Sequence, residues 1–511
     1  MAVVNALLTG VVKKKRANFE KKLAFSQETQ TRCLHKLLMK ARFTDFGLHY
    51  KFESILYSSD PLAEFQKNIP LFTYEKMYDE WWHRFFIGDQ RNISWPGKVK
   101  FFGLTSGTSN AASKRVPLTT AMIKSIRKTG IRQLLALSEF DLPKGFYQKS
   151  VLMIGGSTEL VKMETYFEGD LSGILAGKLP FWFNRWYKPS KPIAREKDWA
   201  AKLERMVEAA PKWDIGGITG VPAWIQILLQ MIIDRYKLQN IHEIWPNFRV
   251  FAHGGVNFDP YRKSFEKLLG TPIYYLETYL ASEGFLAFQK DPDHDMQLVI
   301  DNGIFYEFVP FNNDNFTVDG TMVDNPQTLT LKEIEENVDY ALLISTNAGI
   351  WRYLIGDTIR FTNKMQAEIK ITGRTKHFLS LCGEHLSVDN MTQAMAITCD
   401  KLGFNSKEFT VYGVSYENLF AHQWCLATDD SSIDALKVKE VLDESLMKLN
   451  DDYKTERRAA LKDIFVRLVP VRVFYDFMRT KGKEGGQHKF PRVLKGLEKD
   501  DWEKFLVSQG Y

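Results

Sequence analysis

Apolar residues recur at helical spacing between residues 17 and 43, in ANFEKKLAFSQETQTRCLHKLLMKARF, with strong helix formers between them, and this predicts an amphipathic helix. From about residue 100 the pattern changes. Short runs rich in β-branched and aromatic residues (SVLMIGGS, NFRVFAHGG, TPIYYLETYL, YALLIST) alternate with helical stretches such as PAWIQILLQMIIDRYKL. That alternation predicts an α/β fold with layers around a largely buried sheet. GIFYEFVPF, IRFT and EIKITGR alternate more strictly and predict a smaller antiparallel or mixed sheet. The clearest boundary is ITGRTKHF, where a β-like run meets Gly373, Arg374, Thr375 and Lys376 before new patterns begin. It divides the chain into a large region, residues 1–376, and a small α+β region, residues 377–511. The second region contains SKEFTVYGVSY, the helical SSIDALKVKEVLDESLMKLNDDYKTERRAALKDI and VRLVPVRVFYDFM. Its glycine-rich, basic stretch RTKGKEGGQHKFPRVL reads as a mobile loop.

Composition narrows the class. A chain of 511 residues exceeds one compact core of ordinary size, which predicts two or more domains. With 36 Phe and 12 Trp it has ample material for apolar pockets. The 68 basic and 62 acidic residues leave a formal charge of +6, too small for this length to argue for a nucleic-acid partner. Cys33, Cys382, Cys399 and Cys425 are scattered, with no C-x-x-C pair and no Cys/His spacing suited to zinc, so a reducing compartment, the cytoplasm, is expected. In MAVVNALLTGVVKKKR the short apolar run precedes the basic cluster, the reverse of a secretory signal, and no apolar run long enough to cross a bilayer follows; neither export nor a membrane span is expected. A monomer is the default.

The chemistry begins at FFGLTSGTSNAASKRVPLT, which gathers Thr105, Ser106, Gly107, Thr108 and Ser109 just before Lys114. Such residues make ordinary surface turns. They also suit a phosphate cradle, with backbone N–H groups closing on an anion, hydroxyls adding donors and a lysine supplying charge. The spacing is not that of a Walker A loop, and no G-x-G-x-x-G, H-E-x-x-H or G-x-S-x-G is present. Gly254 and Gly255 follow an apolar strand in AHGGVNFD, at the kind of strand end where α/β proteins bind ligands. TYLASEG sets Tyr279, Ser282 and Glu283 at the next strand end, an aromatic face, a hydroxyl and a carboxylate suited to an adenine, a phosphate and Mg2+. Asp357 in YLIGDTIRF has the chemistry to accept from ribose hydroxyls, and Lys489 in GGQHKFPRV offers an ammonium on a loop. Each piece alone is equally a turn or a solvated loop.

Together and in this order the pieces resemble the adenylate-forming enzyme superfamily and, within it, the acyl acid-amido synthetase family, which joins auxin, jasmonate or aryl acids to amino acids. TSGTSNAASKRVP is similar to that family's S-S-G-T-S-x-G-x-x-K-x-x-P, YLASE to Y-A-S-S-E, FYEFVP to F-F-E-F-I-P, and AGIWRYLIGDTIRFT to G-L-Y-R-Y-R-x-G-D-V-V-x-V-T. TDFGLHYKFESI, FQKNIPLFTYEKM and QHKFPR resemble further family segments, so the likeness extends over nearly the whole chain. Ala111 stands where the family has Gly, and Leu354 and Ile355 where it has a more polar pair. The resemblance implies a large adenylate-forming domain with a small mobile C-terminal domain, ATP and Mg2+ as cofactors, and a carboxylic acid and an amino acid as substrates. It implies that Thr105 to Ser109 and Lys114 hold the β- and γ-phosphates, Ser282 the α-phosphate and Glu283 the Mg2+. Gly254, Gly255, Val256 and Tyr279 would enclose adenine, and Asp357 would bind ribose. Arg374 would sit at the hinge near the phosphates, and Lys489 would bridge carboxylate and α-phosphate. Two alternatives stand beside this reading: an acid–CoA ligase sharing the first half-reaction, and a silent protein that binds acid or nucleotide. WFNRWYK, residues 182–188, lines either the acyl pocket or a core.

Overall fold

A computed structural model describes residues 27–88, 90–105, 114–179, 185–255, 258–317, 320–375, 378–384, 386–404, 406, 408–481 and 490–511. In chain order the strands of the large region are β1 (Phe101–Thr105), β2 (Lys114–Leu118), β3 (Ser150–Met153), β4 (Val161–Lys162), β5 (Phe167–Asp170), β6 (Tyr187–Lys188), β7 (Ile215–Gly220) and β8 (Val250–Gly254). They continue as β9 (Tyr274–Ala281), β10 (Gly284–Phe288), β11 (Met296–Leu298), β12 (Ile304–Pro310), β13 (Asp339–Thr346), β14 (Ile350–Asn363) and β15 (Glu368–Arg374). Eleven of these make one sheet in the order β12-β13-β14-β15-β11-β10-β9-β8-β7-β3-β6.

The sheet has two halves. From β6 through β9 neighbours run parallel. Parallel neighbours need crossovers, and the helices Trp199–Ala209 and Pro222–Tyr236 serve that purpose. From β9 to β12 every pairing is antiparallel. The separate small sheet expected from GIFYEFVPF, IRFT and EIKITGR is therefore not separate. The short β11 pairs with β10 on one side and β15 on the other, joining those strands to the main sheet. β12 is buried along its whole length. The helix Gln27–Ala41, which lies inside the predicted stretch 17–43, packs there: Gln30 Nε2 donates to the carbonyls of Ile300 (2.6 Å) and Ile304 (3.0 Å). Residues 1–26, with the basic cluster, lie outside the described residues. A second sheet, β2-β1-β5-β4, lies beside the first.

In the small region β16 (Phe378–Leu379) and β17 (Leu386–Ser387) precede β18 (Phe409–Tyr416), β19 (Leu419–Ala427) and β20 (Leu461–Val469), which form a sheet in the order β18-β19-β20. The single long helix expected from SSIDALKVKEVLDESLMKLNDDYKTERRAALKDI divides. Asn450, with φ −147°, leaves helical geometry after Ala435–Leu449 and caps Asp451–Arg457 by accepting from Tyr453 N at 2.7 Å. LKDI then opens β20.

One apolar cluster packs the N-terminal helices on the antiparallel half. Another runs from the helices of the parallel half, through Trp224, Ile225 and Tyr261, to Leu379, Cys382, Phe420 and Trp424 of the small region. Polar contacts cross the same boundary: Gln226 Nε2 donates to the Asn418 carbonyl at 2.7 Å, and the Tyr261 hydroxyl donates to the Leu381 carbonyl. Among the described residues no helix is long and apolar enough to cross a membrane.

Candidate active site

The parallel strands end at one edge of the sheet, the place where open α/β folds bind ligands. Gly254 closes β8 there. A Cβ on it would stand 2.4 Å from the Thr278 carbonyl oxygen on β9, so only glycine lets the two strands pair at that point. Gly255 follows at φ +86°, which glycine adopts without strain. The double glycine of AHGGV is thus required by the backbone itself. Val256 lies outside the described residues.

β9 and β10 meet in a tight hairpin whose closing pair is Ala281 and Gly284. This turn is the seam between the parallel and antiparallel halves, and it carries Ser282 and Glu283. The Ser282 hydroxyl faces β1, lying 3.5 Å from where a Cβ on Gly103 would sit. On the neighbouring sheet Thr105 and Lys114 are direct cross-strand partners, so the ends of the hydroxyl-rich loop stand side by side. Ser106, Gly107, Thr108 and Ser109 lie outside the described residues, as does Lys489.

From the other side of the seam come β14 and β15, which pair Asp357 with Arg374. Arg374 Nε donates to Asp357 Oδ1 at 2.6 Å, and the Tyr279 hydroxyl donates to Oδ2 at 2.5 Å. The Tyr279 ring is buried and its hydroxyl is committed to the Asp357 carboxylate. Glu283 is 7% exposed. Burial, reinforced by Asp357 and opposed by Arg374 and Lys114, pushes its carboxyl up to about 7. Asp357 in turn raises Arg374 despite burial of the guanidinium. The structure therefore brings Tyr279, Glu283, Asp357, Arg374 and Lys114 into one electrostatic group, drawn from strands far apart in sequence.

Two elements of this neighbourhood were quoted from the sequence without a role. Glu75, from FTYEKM, places Oε1 3.1 Å from Lys114 Nζ, and that ammonium lies 4.8 Å from the centre of the Tyr74 ring. The Tyr74 hydroxyl accepts from Arg115 N at 2.8 Å. Glu307 of FYEFVP and Arg352 of IWRYL form a fully buried pair, Nε to Oε2 at 3.0 Å and Nη2 to Oε1 at 2.9 Å. A charged residue inside an apolar run was the available signal in the second case; in the first there was only the motif. Of WFNRWYK, residues 182–184 lie outside the described residues. Tyr187 lines a small cleft with Met153, Gly156, Ser172 and Lys202, whose ammonium donates to the Gly155 carbonyl at 2.8 Å and is pushed down to about 8 by burial.

Could the site take a divalent cation? Among the described residues no cluster of three His, Cys, Asp or Glu side chains is arranged to hold a metal. The buried Glu283 carboxyl, its charge disfavoured by its surroundings, fits a cation that takes its remaining oxygens from phosphate, as Mg2+ ordinarily does.

Comparison with known proteins accords with this geometry. Residues 15–167 match the GH3 family N-terminal domain, 297–374 the GH3 family central domain and 389–498 the GH3 family C-terminal domain. The chain is 23% identical over 351 residues to indole-3-acetic acid-amido synthetase GH3.4 of Arabidopsis thaliana, covering 63% of this chain and 56% of that protein. It is 26% identical over 125 residues to jasmonoyl-L-amino acid synthetase JAR4 of Nicotiana attenuata, covering 24% and 21%. The matched stretch spans just over half the length of the first of these relatives. In fold it is similar to the GH3.15 acyl acid amido synthetase, with a TM-score of 0.61 and 14% identity over 97% of this chain and 96% of that one. It is also similar to a 2-hydroxyisobutyryl-CoA ligase in complex with 2-HIB-AMP and CoA, with a TM-score of 0.56 and 11% identity over 94% and 91%. The three domain matches follow one another along most of the chain, and the central one ends at Arg374, the partner of Asp357: this protein belongs to the GH3 family.

Proposed function

We propose that the chain is an ATP-dependent acyl acid-amido synthetase. The observation that carries this reading is the convergence of Lys114, Glu283 and the Tyr279–Asp357–Arg374 triad on the Gly254–Gly255 strand end, in a member of a family whose relatives bear that activity in their names. In the first half-reaction an oxygen of the acid's carboxylate attacks the α-phosphorus of ATP, and pyrophosphate leaves. In the second an amino acid's amine attacks the acyl carbonyl, loses its proton, and AMP departs. No covalent enzyme intermediate is required.

The protein acts by placing the reactants and balancing charge around phosphorus. Thr105 to Ser109 and Lys114 hold the outer phosphates, and Ser282 the α-phosphate. Gly254, Gly255, Val256 and Tyr279 enclose adenine, while Asp357, oriented by Tyr279 and Arg374, receives the ribose hydroxyls. Glu283 holds Mg2+, which when bound neutralises phosphate charge and so favours departure of pyrophosphate. Lys489, carried by residues 377–511 as a unit distinct from residues 1–376, bridges the carboxylate and α-phosphate during adenylation. The proposed state is a monomer. The cytoplasm suits four free cysteines, three of them buried.

The test is pyrophosphate release with ATP and Mg2+ across a panel of aryl and aliphatic acids, run alone, with pooled amino acids and with CoA. The expected result is acid-dependent release that rises with an amino acid, with an amide seen by mass spectrometry. A thioester in its place would make the protein an acid–CoA ligase. Release no greater than that of a Lys489→Ala variant would make it a binding protein.

A further inference from the structure

The contact between Glu75 and Lys114 is built by the fold from a distance. Arg352, fixed by Glu307, donates from Nη1 to the carbonyls of Gln66 and Ile69, both at 2.6 Å. Phe72 then hydrogen-bonds β14 in both directions, its N–H to the Arg352 carbonyl at 3.0 Å and its carbonyl to Leu354 N at 2.8 Å. Thr73 caps the helix Tyr74–Glu80. The first turn of that helix is therefore tied to the strand that carries Asp357, and it delivers Tyr74 beneath the Lys114 ammonium and Glu75 beside it. The Glu75 side chain is 51% exposed and that of Lys114 17%, so the carboxylate stands at the rim and the ammonium within. Burial raises the Glu75 carboxyl, but the charge of Lys114 and local hydrogen bonds outweigh it and hold the group below its ordinary value. A pair this exposed adds little stability. Its consequence is for charge: before any phosphate arrives, the lysine already has a counter-ion.

We propose that Glu75 is a positioning residue that competes with phosphate for Lys114, holding the ammonium in the empty site and reclaiming it as pyrophosphate leaves. The inference rests on the reading of Lys114 as a phosphate ligand. A triphosphate that takes Lys114 must displace or crowd the Glu75 carboxylate, and like charges at such range repel. Once the α–β bond is broken, the same carboxylate offers the lysine another partner and weakens its hold on the leaving group. Glu75 thus limits product inhibition at the cost of some affinity for ATP.

The experiment is titration calorimetry of the full chain with inorganic pyrophosphate and Mg2+ at low ionic strength, for the wild type, Glu75→Gln, Glu75→Asp, Lys114→Met and the Glu75→Gln/Lys114→Met double variant. Glu75→Gln should bind pyrophosphate about two- to fivefold more tightly than the wild type, the scale of an exposed ion pair. Glu75→Asp should stay near the wild type, and Glu75→Gln should change nothing once Lys114 is methionine. A purely structural role would move the melting temperature and not this affinity. Equal or weaker binding by Glu75→Gln, or the same tightening without Lys114, would overturn the proposal. Wild type and Lys114→Met binding pyrophosphate alike would instead overturn the phosphate role of Lys114 on which it depends.

Discussion

Asp357 shows how much a single side chain gathers here. One carboxylate oxygen takes the Tyr279 hydroxyl and the other Arg374 Nε, so three strands meet at it. In Asp357→Asn only one oxygen remains to accept, and acid-dependent pyrophosphate release should fall by about 10²-fold or more, as it does when a single polar group of a charged site is lost. Arg352 is a residue of another kind, at φ +40° and 4% exposed, with its guanidinium spent on Glu307 and two carbonyls. Arg352→Met leaves the Glu307 carboxylate buried without its counter-charge, with Gln66 Nε2 still donating to it at 3.0 Å, and should cost about 3–5 kcal/mol, read from the urea midpoint. Changing Glu307 to methionine as well should recover much of that loss. The motifs made Asp357 and Glu283 visible in the sequence through their order and spacing along the chain, since a carboxylate beside glycine is by itself equally an ordinary turn. The bonds from Tyr279 to Asp357 and from Glu75 to Lys114 were not visible, since they join positions that only the three-dimensional pairing of strands brings together.

At the scale of elements, glycines separate backbone necessity from chance. Gly254→Ala would push a methyl to 2.4 Å from the Thr278 carbonyl and part β8 from β9. It should cost about 1–3 kcal/mol, with nucleotide affinity falling alongside the melting temperature. Gly130, inside the helix Thr120–Ala136, has nothing within 4 Å of a new Cβ. Gly130→Ala should raise stability by about 0.5–1 kcal/mol, with nucleotide affinity unchanged. The same contrast explains what the sequence disclosed of the elements. PAWIQILLQMIIDRYKL became a helix because Pro222 opens it and its length and composition admit little else. The helical reading of residues 431–464 ran too far because a helix-period pattern continues past Asn450, where a side-chain cap and then the β-rich LKDIFVRLV prevail. The antiparallel strands were read as a separate sheet because their register with the rest depends on the three-residue β11, too short for any periodicity to reveal.

At the scale of the whole molecule, the two regions meet over a buried acidic pair. Glu384 accepts from three consecutive backbone N–H groups and from His422 Nε2 at 2.8 Å. Burial works against its charge, but His422 and those donors outweigh it and hold the carboxyl below its ordinary value. Glu456, across from it, accepts from Trp224 Nε1 at 3.1 Å, and burial together with Glu384 drives its carboxyl well above the usual range. Of the two, Glu456 is the one whose surroundings favour the protonated form. The unfolded chain releases the Glu456 proton from about pH 4.3 upward, whereas the folded one retains it to higher pH. Its stabilisation is therefore complete at low pH and is lost as pH rises toward the folded value. Glu456→Gln keeps the acceptor for Trp224 and should flatten the decline in urea midpoint as pH rises above about 4.3; an unchanged slope would count against this assignment. The seam at Ser282 and Glu283 bears on how the molecule assembles. On the antiparallel side β13, β14 and β15 pair with near neighbours in the chain, while each parallel pair waits for a helix to cross over. Local contacts form fastest, so Asp357 and Arg374 should be set before Gly254 and Gly255 arrive. A nucleotide held across the seam meets its full site only after the slow half has docked. It should lengthen the life of the folded chain by slowing unfolding while leaving the refolding rate almost untouched.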